Sequence, residues 1–199
     1  LLSLLLGIVF PTSGTVCVGE IELNRKTATA ARRRIGMVFQ NPDDQLFMTT
    51  VYDDVAFGPL NMGIPAEQVE IAVMEALAKV GVSHLQKRSS HRLSIGEKRA
   101  VAIAAVIVMS PDILLMDEPT AGLDPWSRRQ LINLLQQFSH TKIIASHDLD
   151  FVMDVCGRSI VLKGGRITAD GPVGEILHNR ELLESCRLEL PLRLQGLNL

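Results

Sequence analysis

The chain has 199 residues, 47% of them hydrophobic, enough to bury one core or one core with a subdomain. Its formal net charge of −2 at pH 7 gives no global pull toward nucleic acid or anionic lipid. Cys17, Cys156 and Cys186 are widely spaced and form no C-x-x-C pair, which argues against a disulfide framework or zinc site and suits a reducing compartment.

Taken in order, Leu1 to Val9 reads as an apolar helix, too short for the roughly 20 residues that span a bilayer. It lacks the basic flank and small-residue cleavage site of a signal peptide, and Pro11-Thr12-Ser13-Gly14 reads as a turn. Thr15 to Leu23 alternates like a hairpin. Arg32-Arg33-Arg34 is the densest basic run; with no aromatics interleaved it reads as a solvated helix face. Ile35 to Phe39 is a short apolar strand. Pro65 to Val80 is helical, with Val69, Val73, Leu77 and Val80 on one face. Ser94-x-x-Glu97 is a capping box that starts a helix running through AVAIAAVIVM and ending at Ser110-Pro111. There follow a strand at Ile113–Met116, a helix at Pro125–Phe138, a strand at Lys142–Ser146, a helix at Leu149–Val155, a strand at Ser159–Leu162 and a short helix opened by GPVGEIL. Strands alternating with helices predict an α/β fold with a parallel sheet, and Thr50 to Arg92 reads as a mostly helical insertion.

The chemistry concentrates in ILLMDEPTAGLDP, residues 113–125. A buried strand there delivers Asp117 and Glu118 to its C-terminal edge, where open α/β sheets bind ligands. One carboxylate can hold a hydrated Mg²⁺ and the next can polarise an attacking water. A bare acidic pair would merely cap the turn; the whole strand-DEP pattern points further. It resembles the Walker B and D-loop segments of ABC-type ATPases. RLSIGEKR (92–99) resembles their signature motif, VFQNPDDQLF (38–47) their Q-loop, and ASHDLDFV (145–152) their H-loop.

The resemblance covers residues 38–171 and implies a P-loop-NTPase-like parallel sheet with an inserted helical subdomain, binding ATP and Mg²⁺. Its implied division is a partial ATPase core at 1–49, the helical subdomain at 50–104, more ATPase core at 105–171 and a helical tail at 172–199. By the same resemblance Glu118 is the water-polarising base and Asp117 sits near the metal. Gln40 reaches metal and water, and His147 contacts the γ-phosphate. Ser94, Gly96 and Glu97 present the signature to a site held by a second subunit, and Asp124 lies across that interface. Each has a plainer reading: Gln40 an amide at a strand end, His147 a structural histidine, Ser94 with Glu97 a capped helix start, Asp124 an N-cap before Pro125. Ile95 stands where the family carries glycine, so that position is expected in an ordinary backbone conformation.

No G-x-x-x-x-G-K-[ST] occurs in the 199 residues. The opening LLSLLLG and PTSG resemble the helix and turn that follow that loop in the family, so an N-terminally truncated chain is expected, binding Mg-ATP very weakly by itself. QNPDDQLF, VYDDVAFGPLNMG and SHDLDFVMDVCGRSIVLKGGRITADGP resemble energy-coupling-factor transporter ATPases, the cobalt/nickel type especially. That resemblance implies a head-to-tail dimer with a second ATPase subunit and docking on a membrane-embedded subunit at the cytoplasmic face. Asp43, Asp44 and Gln45 lie where the docking groove would be, and no nucleic-acid partner is expected. The alternative is a non-catalytic half that lends its signature to an intact ATPase.

Overall fold

The computed structural model describes residues 1–196. Helix α1 (Leu2–Leu5) is a single turn. Gly7 turns left-handed at φ +61 and ends it, so the expected helix stops short of Val9: Leu6 is buried while Ile8 and Val9 stand exposed. β1 (Cys17–Val18) and β2 (Ile21–Glu22) form the expected hairpin. α2 (Ala28–Arg32) buries Ala28 and Ala31. Only Arg32 of the basic run is helical, and Arg34 pairs with Asp112 at 2.6 Å.

β3 (Ile35–Val38) leads to the helical layer of α3 (Val51–Asn61), α4 (Ala66–Lys79) and α5 (Ile95–Ile107). Thr50 caps α3 by accepting from the Asp53 N–H. The three helices close on a core that includes Val51, Val55, Val73, Leu77, Leu85 and Val101, all at most 1% exposed. Burying each such side chain is worth about 1.5–3 kcal/mol. Within this layer Asp54 is buried and accepts from the Phe47 and Met48 N–H groups at 2.9 Å each and from the Ser90 hydroxyl.

β4 (Ile113–Asp117), α6 (Pro125–Gln137), β5 (Thr141–Ala145) and α7 (Leu149–Val155) complete the alternation. The parallel sheet has the order β3-β4-β5, with Val38 beside Met116, Met116 beside Ile144 and Asp117 beside Ala145. Leu114, Met116, Ile103, Ile132 and Phe151 pack one core between sheet and helices; Leu115, Ile35, Leu6 and Val18 pack another. Helix α5 serves both the helical layer and the sheet. Gly36 is what lets it lie so close, since a Cβ there would stand 2.2 Å from Val106 Cγ1.

β6 (Arg158–Lys163) and β7 (Arg166–Pro172) form an antiparallel hairpin through Gly164 and Gly165, both at positive φ. β7 was not expected from the sequence, and it uses the Gly171-Pro172 assigned there to a helix start; α8 begins only at Val173 (Val173–His178) and is followed by α9 (Arg180–Ser185). Arg193 then clamps the chain back onto α7, reaching Asp150 at 2.8 Å and Asp154 at 2.9 Å. Among the described residues no helix is long and apolar enough to cross a membrane.

Candidate active site

The strand register decides which side chains meet. Because Val38, Met116 and Ile144 lie side by side, the chain leaves β3, β4 and β5 at one edge of the sheet. Gln40, Asp117, Glu118 and His147 all sit within two residues of those strand ends. That edge is where parallel sheets offer a crevice.

Glu118 occupies the turn after β4 at φ +43, a left-handed conformation that costs a non-glycine residue about 1 kcal/mol or more. The turn is held by its N–H donating to the Ala145 carbonyl at 2.9 Å and its carbonyl accepting from the Ala121 N–H at 3.1 Å. The side chain is aimed at the β5 end: Oε1 lies 2.8 Å from His147 Nδ1 and accepts from the His147 N–H at 3.1 Å. The Ser146 hydroxyl reaches Oε2 at 3.4 Å. Hydrogen bonding to Glu118, then its charge, raises the His147 pKa above the ordinary imidazole value. The imidazole is 79% exposed and the carboxylate 20%, so the pair has one face toward solvent. A carboxylate on a strained turn, held by a neighbouring imidazole, can take a proton from a water on the solvent-facing side of the pair.

Asp117 ends β4 half-buried, and its carboxylate accepts no hydrogen bond from the described residues. A lone, uncommitted carboxylate at a strand end fits hydrated Mg²⁺, which takes one or two protein carboxylates and keeps its waters. Asp148, next to His147, is anchored: Arg128 of α6 donates to it through Nε at 2.9 Å and Nη2 at 3.0 Å, and it caps α7 by accepting from the Phe151 N–H. Partial burial pushes the Asp148 carboxyl up, but the Arg128 guanidinium and the Phe151 N–H outweigh it and hold it below its usual range.

The second group of expected residues, Ser94, Gly96, Glu97 and Asp124, forms a separate cluster, and among the described residues none of the four is hydrogen-bonded directly to Gln40, Asp117, Glu118 or His147. Ser94 caps α5: its hydroxyl accepts from the Glu97 N–H at 3.3 Å, and Glu97 Oε2 accepts from the Ser94 N–H at 2.7 Å and hydroxyl at 2.8 Å. The Ser94 N–H, then its hydroxyl, hold the Glu97 carboxyl below the usual range. Ile95 is the first residue of α5 in a right-handed helix, as expected for a β-branched side chain. A Cβ on Gly96 would stand 2.5 Å from Ser127 Oγ and 3.7 Å from Asp124 Oδ2, so the signature segment lies directly on the start of α6. Asp124 caps that helix, accepting from the Trp126 and Ser127 N–H groups and the Ser127 hydroxyl at 2.6 Å, which lower its pKa, the hydroxyl most.

In the 43–45 loop two of the three side chains are engaged within the chain. Asp43 is paired with Lys98 Nζ at 2.6 Å, and Gln45 is turned inward, its Nε2 donating to the Ala102 carbonyl at 2.7 Å. Both side chains bond to α5, and the Asp43 side chain stays half exposed. Sequence reasoning also passed over Arg99, Arg128, Ser146 and Asp148. An arginine inside the apolar run KRAVAIAAV was the available signal for the first, and the aspartate directly after His147 for the last.

The family profile described as ABC transporter matches residues 1–121, and with this geometry it makes the chain a member of the ABC transporter family, an ATP-binding subunit of ABC ATPase type. Within the family it is similar to a putative ABC transporter ATP-binding protein of Geobacter sulfurreducens, 60% identical over 190 residues that cover 96% of this chain and 76% of that protein. It is likewise similar to the energy-coupling factor transporter ATP-binding protein EcfA1 of Methanospirillum hungatei, 44% identical over 94% of this chain and 69% of that protein. Among solved structures it superposes on cbiO1 from Clostridium perfringens, part of the ABC transporter complex cbiONQ, with a TM-score of 0.82, 39% identity, and coverage of 96% of this chain and 78% of that one. The cassette MJ0796, solved as a dimer bound to ADP and Pi, superposes at TM-score 0.77 and 25% identity over 86% of this chain and 78% of that one.

Proposed function

We propose that the chain is the ATP-hydrolysing subunit of an energy-coupling-factor importer and that the Glu118–His147 pair is its water-activating machinery. The single observation that carries this is the 2.8 Å contact between His147 and Glu118 at the sheet edge that also gathers Gln40 and Asp117. Glu118 takes the proton of the attacking water, and His147 holds that carboxylate in line and faces the γ-phosphate. Gln40 orients the water from the β3 side. Asp117 would hold hydrated Mg²⁺ with Gln40 beside it, and the ion would neutralise charge on the phosphate oxygens.

Ser94, Gly96 and Glu97, with Asp124 against them, act across a head-to-tail dimer on the nucleotide of a second ATPase subunit. Glu97 does so indirectly, by fixing Ser94 in its cap. The dimeric cassette among the similar structures supports this reading. The membrane-embedded partner docks at the cytoplasmic face beside the 39–47 loop, where Phe39, Phe47 and Phe57 are exposed and the last two stack edge to face at 4.9 Å. The likeness to cbiO1 supports cobalt or nickel as the imported ion.

Uptake of radiolabelled Co²⁺ and Ni²⁺ in cells with and without the gene tests the transport role. Loss of either ion's uptake by roughly tenfold is expected, allowing for parallel routes. Unchanged uptake of both would remove the metal assignment.

A further inference from the structure

Among the described residues Arg99 is the largest fully buried side chain, 2% exposed, and it lies on the second turn of α5, between the signature residues and the apolar stretch that packs the core. Its hydrogen bonds reach no carboxylate. Nη1 donates to the Phe39 carbonyl and Nη2 to the Gln40 carbonyl, both at 2.6 Å, while Nε is buried with no partner. A buried guanidinium is costly to desolvate and is kept only where its bonds repay it. An apolar side chain would fill the same space without that cost, so what the arginine supplies is its planar fork, which spans two successive carbonyls as lysine cannot.

Those carbonyls are the first after β3 leaves the sheet, and they belong to Gln40 and the residue before it. Two further bonds run between the same pair of segments: Gln45 Nε2 to the Ala102 carbonyl at 2.7 Å, and Lys98 Nζ to Asp43 at 2.6 Å. Residues 39–45 are thus fastened to positions 98, 99 and 102 of α5. Ser94 is five residues away on the same helix, about 7.5 Å along its axis.

We propose that Arg99 is a positioning residue that locks the Gln40 segment to the start of α5, so that Gln40 and the Ser94–Gly96 end move as one body. Through this strut the state of the chain's own hydrolytic edge sets the position of the signature it presents to the second subunit. The consequence for hydrolysis rests on the roles proposed above for Gln40 and Ser94; the mechanical link does not.

Amide hydrogen exchange read by mass spectrometry tests the link on the chain itself, comparing wild type with Arg99→Gln, Arg99→Lys and, as a control, Lys98→Met. Arg99→Gln is expected to speed exchange roughly tenfold in both 39–46 and 94–101, with 69–77 and 113–117 within about twofold of wild type. Arg99→Lys falls between, and Lys98→Met changes little because the fork remains. Should Arg99→Gln not fold, Arg99→Lys carries the comparison alone. Faster exchange in only one of the two segments, or an even rise across 69–77 as well, overturns the strut.

In the assembled transporter Arg99→Lys should lower kcat roughly tenfold with KM for ATP within about twofold, and adding Gln40→Ala should lower it little further. Coupled exchange with unchanged turnover overturns the strut's part in hydrolysis. Normal turnover in Glu118→Gln overturns the hydrolytic reading instead.

Discussion

His147 stands in solvent, yet hydrogen bonding to Glu118 raises its pKa above the ordinary imidazole value of about 6.5. The sign follows: the stability from this pair is fully present below that ordinary value and is lost as pH rises through the raised one. Titration of the His147 imidazole by NMR should give a midpoint above about 6.5 that falls back in Glu118→Gln; equal midpoints would show that the two do not interact. Gly96 makes a steric claim. Its alanine variant drives a Cβ to 2.5 Å from Ser127 Oγ, so Gly96→Ala should cost about 1–3 kcal/mol in denaturant unfolding, and adding Ser127→Ala should recover part of it. At this scale Glu118, His147 and Asp117 were legible because each stands at a strand end inside a short motif. Arg99 and Arg128 were not. Their partners lie 59 or 60 and 20 residues away, and no local pattern in the chain announces bonds that only the fold makes.

Elements followed the sequence where capping and burial agree. Asp148 caps α7 through the Phe151 N–H, and the observed helix has the bounds the sequence suggested. β7 was passed over because the alternation in RITAD is short, carried by Ile167 and Ala169 alone, and runs into a Gly-Pro pair that reads as a break; backbone pairing with β6 and a two-pronged Arg158–Asp170 contact at 2.7 Å make it a strand. The contact of α5 with β3 rests on Gly36, where a Cβ would meet Val106 at 2.2 Å and Pro111 at 2.9 Å. Neither neighbour can swing aside, so Gly36→Ala should lower Tm by roughly 5–10 °C in calorimetry. A change under about 1 °C would mean that helix and strand separate freely.

In the whole molecule the helical layer and the sheet are joined along α5, which starts at the signature, crosses the Gln40 segment and ends in the sheet core. The alternating α/β order and the helical insertion were readable from periodicity, while the mutual placement of the two site clusters waited for strand register and for the Gly96–Ser127 contact. The 199-residue polypeptide carries the water-side groups and the signature but no G-x-x-x-x-G-K-[ST] cradle for phosphate. Isothermal calorimetry on that polypeptide alone should therefore show Mg-ATP binding no tighter than about 1 mM, and stoichiometric binding at micromolar concentration would refute this. The most direct measurement is the ATPase rate of the assembled transporter with Glu118→Gln set beside Ser94→Arg. A catalytic subunit predicts that Glu118→Gln lowers kcat by roughly a hundredfold or more while ATP stays bound. A rate untouched by Glu118→Gln but abolished by Ser94→Arg would contradict it, and would make the chain a partner that only lends its signature.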